Sequence, residues 1–151
     1  MIDQPAVVRA AGEAEIKADA ELCWSVLTDV NSWASWNRDV KSASLEGPVM
    51  KGTTFRWKVS GGRITSTFIE VVPPRLVAWT GHLSPLGIRA VHVWSLSPQD
   101  GSTLVRSEES WSGLVPRLAR GFSARLLKSA IDKGLESLKR ECERRAASPS
   151  Q

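Results

Sequence analysis

From Pro116 to Arg145 the chain carries the spacing of one long amphipathic helix. Leu118, Phe122, Leu126, Leu127, Ile131, Leu135, Leu138 and Cys142 fall mostly three or four residues apart. Almost everything between Arg38 and Gly113 reads instead as short strands divided by turn residues. A single helix that follows a run of antiparallel strands has few ways to bury its apolar stripe. The most direct is to lie across the concave face of a curved sheet. Such a grip tends to leave a hollow between sheet and helix, and that hollow is where function is expected.

The strands follow from period-two alternation. Val7 to Lys17 sets Ala14 and Ile16 against Glu13, Glu15 and Lys17. Asp19 then suits a helix N-cap, and Ala20, Cys23, Trp24 and Leu27 recur at helical spacing. A second short helix covers Ser32 to Trp36. Strands are expected over Arg38 to Leu45, Thr53 to Val59, Arg63 to Val72, Leu76 to Thr80, Ile88 to Leu96 and Thr103 to Ser112. Gly47-Pro48, Ser60-Gly61-Gly62, Pro73-Pro74 and Pro98-Gln99-Asp100-Gly101 divide them. Their short connections imply antiparallel pairing. The expected class is α+β, with a curved seven-stranded antiparallel sheet wrapped around a long C-terminal helix and two short helices after strand 1.

The 151 residues, 42% hydrophobic and 24% charged, fit one domain, 1–151, with a frayed tail over 146–151. No segment has the run of about 18 apolar residues that a membrane span needs, so no integral membrane association is expected. Met1-Ile2-Asp3-Gln4-Pro5 lacks the basic start and apolar core of a secretory signal, which points to the cytoplasm. Cys23 and Cys142 form no CxxC pair, and His82 and His92 add little to them. Buried free thiols, no metal and no cofactor are the expectation. The net charge is +4, but basic residues alternate with acids, as in Lys139-Arg140-Glu141-Cys142-Glu143-Arg144-Arg145. That pattern suits a solvated helix face and argues against nucleic-acid binding. Seven Trp and no Tyr suit the wall of a mostly apolar pocket.

The order of strand, two short helices, six strands and long helix comes with specific residues. They include Ala18-Asp19-Ala20-Glu21-Leu22-Cys23-Trp24, Trp33, Trp36-Asn37, Gly52-Thr53, Glu70-Val71-Val72-Pro73-Pro74-Arg75-Leu76-Val77-Ala78-Trp79, His92-Val93-Trp94 and Ser107-Glu108-Glu109-Ser110-Trp111-Ser112-Gly113. Together they resemble the SRPBCC superfamily, the helix-grip proteins that include START lipid-transfer domains, the major birch pollen allergen and polyketide cyclase/dehydrase-like proteins. The likeness spans nearly the whole chain and is closest to the bacterial polyketide-cyclase-like branch. It implies the helix-grip fold. It leaves function open, because the superfamily includes carriers, cyclases, hydrolases, oxygenase domains and chaperone activators.

Alternation puts Ala90, His92, Trp94 and Leu96 on one face of their strand, and Val105, Ser107, Glu109 and Trp111 on one face of the next. His92 and Glu109 then face one cavity as a candidate acid–base pair. The plainer alternative makes both hydrogen-bonded wall residues. Trp33, Trp36, Phe55, Trp57, Ser66, Phe68, Ala90, Trp94, Ser107, Trp111, Phe122 and Leu126 are the candidate cavity residues. The facing of strand 63–72 stays open, and Trp33 reads equally as portal or as core. No Gly-x-Ser-x-Gly elbow, P-loop or dinucleotide fingerprint is present. The leading expectation is binding or carriage of a hydrophobic small molecule (aromatic, polyketide-like or lipid-like) by a monomer or homodimer. The alternatives are a polyketide cyclase or dehydratase using His92 and Glu109, and a protein-binding module like the chaperone activators.

Overall fold

A computed structural model describes residues 6–148. The reading of Met1 to Pro5, and the tail residues 149–151, lie outside them. The elements are β1 (Val8–Ile16), α1 (Ala20–Thr28), a 3-10 turn (Val30–Ser32), α2 (Trp33–Trp36), β2 (Ser42–Leu45), β3 (Thr54–Val59), β4 (Gly62–Val72), β5 (Leu76–Ser84), β6 (Ile88–Gln99), β7 (Ser102–Ser112), α3 (Leu114–Leu118) and α4 (Arg120–Ala147). The seven strands form one antiparallel sheet in the order β1-β7-β6-β5-β4-β3-β2, and the long helix lies on its concave face. This is the helix-grip architecture.

Local chemistry sets the ends of the elements. Asp19 has extended backbone, and its carboxylate accepts from the Leu22 N–H at 2.8 Å, which caps α1. β2 is shorter than expected: Asn37 starts a turn that ends at Val40, and only Ser42–Leu45 join the ladder. β5 runs to Ser84 rather than stopping at Thr80, so His82 is an exposed strand residue on the convex face.

The terminal rod is two helices, not one. The chain breaks at Ala119 (φ −122°, ψ 54°), and the helix then continues to Ala147, beyond the expected start of fraying. Its eight candidate stripe residues also divide. Leu127, Ile131, Leu135, Leu138 and Cys142 are buried, whereas Leu118, Phe122 and Leu126 are exposed. At about 100° per residue, Leu126 and Leu127 sit a quarter-turn apart, and the burying stripe follows Leu127.

A glycine in a strand lets that stripe settle. A Cβ on Gly12 of β1 would stand 3.0 Å from Leu135 Cδ1 and 3.2 Å from Ile131 Cγ2. The helix glycines have no such role: Gly121 has open space, and Gly134 only ordinary contact with Trp94. Lys128 and Lys139 donate to the carbonyls of Ala11 and Glu15 and tie the helix to β1. Farther along, Cys23 of α1 and Cys142 of α4 are both free thiols and fully buried.

Candidate functional site

The concave face is filled unevenly. Toward β1 and β7, α4 and α1 cover Trp94, Leu96, Val105 and Ser107, all buried. In the middle, Trp33, Phe55, Phe68 and Trp79 form an aromatic cluster. Trp33 meets Phe55 edge-on at 5.5 Å, and Phe55 lies 4.8 Å from Phe68. The rest of the concave face is bare, and a cavity of about 60 Å³ opens there.

Register explains why it is hollow. Ser66, Gly81 and Ala90 pair in sequence across β4, β5 and β6, and the row ends at Trp111 of β7. Three small side chains side by side leave a trough. Trp57, Trp79 and Trp111 wall it, and Ile64, Leu83 and Ile88 close its outer end. All eleven lining residues belong to β3–β7. The expected wall from the C-terminal helix is not there, because the helix follows β1 and its buried stripe begins only at Ser123 and Leu127.

His92 and Glu109 meet on this wall as directly opposed residues of β6 and β7. His92 Nδ1 lies 3.0 Å from Glu109 Oε1, and His92 Nε2 lies 2.7 Å from Ser107 Oγ. The other carboxylate oxygen accepts from the Trp111 indole N–H at 2.6 Å. The Nδ1–H donates to Glu109 whether the ring is neutral or protonated. Nε2 accepts from the Ser107 hydroxyl when neutral and donates to it when charged. Burial pushes the Glu109 carboxyl up. The His92 charge and the bonds from His92 and Trp111 outweigh burial and hold it below the ordinary carboxylate range. Across the trough, Trp57 donates to Ser66 Oγ at 3.1 Å.

The Glu109, His92 and Trp57 groups of the wall are therefore occupied by protein partners, while among the described residues the Trp79 indole N–H has none. Ser107, His92 and Glu109 repeat the chain of hydroxyl, imidazole and carboxylate used in nucleophilic catalysis. Ser107, however, is fully buried and does not line the cavity. The ring face of His92 is also covered, with Trp79 at 5.2 Å and Trp94 at 5.0 Å.

Of the candidate residues, the cavity brings together His92, Glu109, Trp57, Ser66, Ala90 and Trp111. Six others point inward or lie near without lining it. Trp33 is core, its indole N–H donating to the Leu27 carbonyl at 2.9 Å. Phe55 and Phe68 are core too, and Trp94 and Ser107 lie beneath α4. Trp36 is half-buried in α2. Phe122 and Leu126 are exposed and form no part of the wall. Facing inward is thus necessary for lining but not sufficient, because α1, α2 and α4 fill part of that face.

Sequence reasoning missed Ile64, Trp79, Gly81, Leu83 and Ile88. A longer β5 is the signal that would have found two of them, since Gly81 and Leu83 continue the face on which Trp79 stands.

Comparison with known proteins agrees with this architecture. Among solved structures, an aromatase/cyclase, Zhui, from Streptomyces sp. R1128 superposes with a TM-score of 0.80 at 18% identity, over 91% of this chain and 94% of that one. A START superfamily protein from Mycobacterium smegmatis gives 0.77 at 16% identity, over 90% and 97%. A hypothetical protein from Helicobacter pylori gives 0.77 at 17% identity, over 93% and 91%. These likenesses concern the fold. No curated protein sequence matches the chain. The family model described as polyketide cyclase / dehydrase and lipid transport matches residues 7–143, and the chain belongs to that family.

Proposed function

We infer that the protein binds or carries a small hydrophobic molecule, ring-shaped and bearing at most one or two polar groups, in the trough over Ser66, Gly81 and Ala90. The observation that carries this reading is that most of the wall's polar groups are paired within the protein, the Trp79 indole N–H being the exception among the described residues. Both Glu109 oxygens, both His92 nitrogens and the Trp57 indole N–H already have protein partners. What a ligand meets is the flanks of three indoles and several aliphatic side chains, which favour a flat apolar ring. A carboxylate has further lone pairs, and Ser66 still has a hydroxyl proton to offer. A phenolic hydroxyl or a ring carbonyl therefore suits the polar side of the site. Membership of a polyketide cyclase and lipid transport family supports a role in hydrophobic-ligand binding or cyclase-type chemistry. We take the working form to be a single cytoplasmic domain, as monomer or homodimer.

A second reading rests on the His92–Glu109 contact at 3.0 Å on the cavity wall. A cyclase or dehydratase of poly-carbonyl chains would use this pair to move protons. Native mass spectrometry of the purified protein, with tryptophan fluorescence against a panel of phenols, naphthols and fatty acids, separates the readings. The binding role predicts saturable quenching by aromatic ligands that survives His92→Ala. A cyclase predicts turnover of a poly-β-ketone substrate, lost in both His92→Ala and Glu109→Gln. No quenching by any ligand would remove the first reading.

A further inference from the structure

Charge is unevenly placed along this chain. Between Ser110 and Ile131 there are four basic residues (Arg117, Arg120, Arg125 and Lys128) and no acid, a surplus equal to the net +4 of the whole sequence. Only Lys128 of these has a carboxylate partner, Asp132 at 2.8 Å. Among the described residues Arg117, Arg120 and Arg125 form no ion pair, and neither does Arg89 on the adjoining strand. Arg89 and Arg117 both line a groove of about 300 Å³ between the β5–β6 turn and α3, together with Leu114.

The same segment shows water an apolar face. Leu114, Leu118, Phe122 and Leu126 follow at steps of four, and they are 67%, 77%, 62% and 50% exposed. Leu86, in the turn beside the Arg89 groove, is 45% exposed. Lone exposed leucines are ordinary, but four large apolar side chains exposed within one short segment, 114–126, mark an interaction surface. Lys128 marks the flank of α4 that faces β1, and Leu126 lies about 160° round the helix from it. Leu126 therefore looks away from the flank that meets β1.

We propose that α3, the first turns of α4 and the β5–β6 turn dock on an anionic phospholipid surface. Arg89 and Arg117 take a lipid phosphate in their groove, while Leu114, Leu118, Phe122 and Leu126 enter the acyl boundary. An amphipathic segment with leucine and phenylalanine on one side and unpaired arginine beside them has the two attractions that interfacial helices use. Arginine holds phosphate in a two-pronged grip. An acidic protein would satisfy the charge, but it gives less reason for Leu118, Phe122 and Leu126 standing out from the surface beyond the groove. The proposal does not depend on the cavity holding a ligand.

Co-sedimentation with vesicles tests it. Wild-type protein is expected to bind phosphatidylglycerol–phosphatidylcholine vesicles at about 0.1 M salt, to lose most of that binding at about 0.5 M, and to ignore pure phosphatidylcholine. Arg89→Gln and Arg117→Gln should each weaken binding about fivefold. Leu118→Ser with Phe122→Ser should abolish it, and Arg56→Gln, on an exposed residue of β3, should leave it unchanged. The altered side chains are solvent-facing, so thermal melts of the variants should match wild type. The wild-type salt and lipid dependence stands as an independent readout. Absence of binding to anionic vesicles, equal binding to neutral ones, or indifference to the arginine changes would overturn the proposal. So would retention on polyglutamate that persists in the Leu118→Ser/Phe122→Ser variant without vesicle binding, which would assign the face to an acidic protein.

Discussion

Glu109 has two oxygens and two strong donors, His92 and Trp111, and all three side chains border the cavity. A carboxylate so placed is stable only while its partners are present. His92→Ala leaves it with Trp111 alone, and we expect a loss of about 3 kcal/mol in urea denaturation. Replacing both partners, His92→Phe with Glu109→Leu, should restore most of that loss, because an apolar pair leaves no orphaned charge. The pH dependence follows from the same contacts. The folded carboxyl lies below its ordinary value of about 4.5, so its contribution is complete above that value and fades as pH falls through the lower folded one. Comparison of wild type with Glu109→Gln at pH 7, 5 and 3 should therefore show a stability gap that narrows toward pH 3. A constant gap would mean that the charge of Glu109 is not what stabilises. Alternation alone was enough to put His92 and Glu109 on one surface. It was silent on the saturation of their hydrogen bonds, which depends on the register that sets Glu109 opposite His92 and on the side-chain torsions that bring Trp111 back over it.

Elements obey the same limits. The terminal helix was legible because its apolar spacing is long and regular. The division of its residues was not, because steps of four starting at Leu118 and steps of four starting at Leu127 look equally apolar in sequence. Only the sheet decides between them, and Gly12 decides by letting Ile131 and Leu135 come close. Leu135→Ala should cost about 3 kcal/mol, whereas Leu126→Ala should stay within about 0.5 kcal/mol. Gly12→Val should cost about 2 kcal/mol through crowding against Leu135 and Ile131. Chemical denaturation of the three variants measures this. Equal losses for Leu135→Ala and Leu126→Ala would contradict the two-faced helix. The strand boundaries that sequence missed, at β2, at β5 and at β6, which runs through Pro98 to Gln99 instead of ending at Leu96, are places where pairing rather than propensity fixes length. Ser84 remains in the ladder because it pairs with Arg63, a contact no local pattern reveals.

At the scale of the molecule, the hollow is made by what three neighbouring strands lack. Ser66, Gly81 and Ala90 are unremarkable singly, and they become a trough only because the register lines them up between walls of indole. Ala90→Leu should fill it with little effect on stability, within about 1 kcal/mol, and should remove ligand binding. The most direct test of the trough as a binding site is to follow the seven indole N–H resonances by NMR during titration with 2-naphthol. The account predicts saturable shifts at Trp57, Trp79 and Trp111, little change at Trp24 on the far side of the core, and no shifts in Ala90→Leu. Shifts spread evenly over all seven indoles, or shifts that survive the filling of the trough, would contradict it.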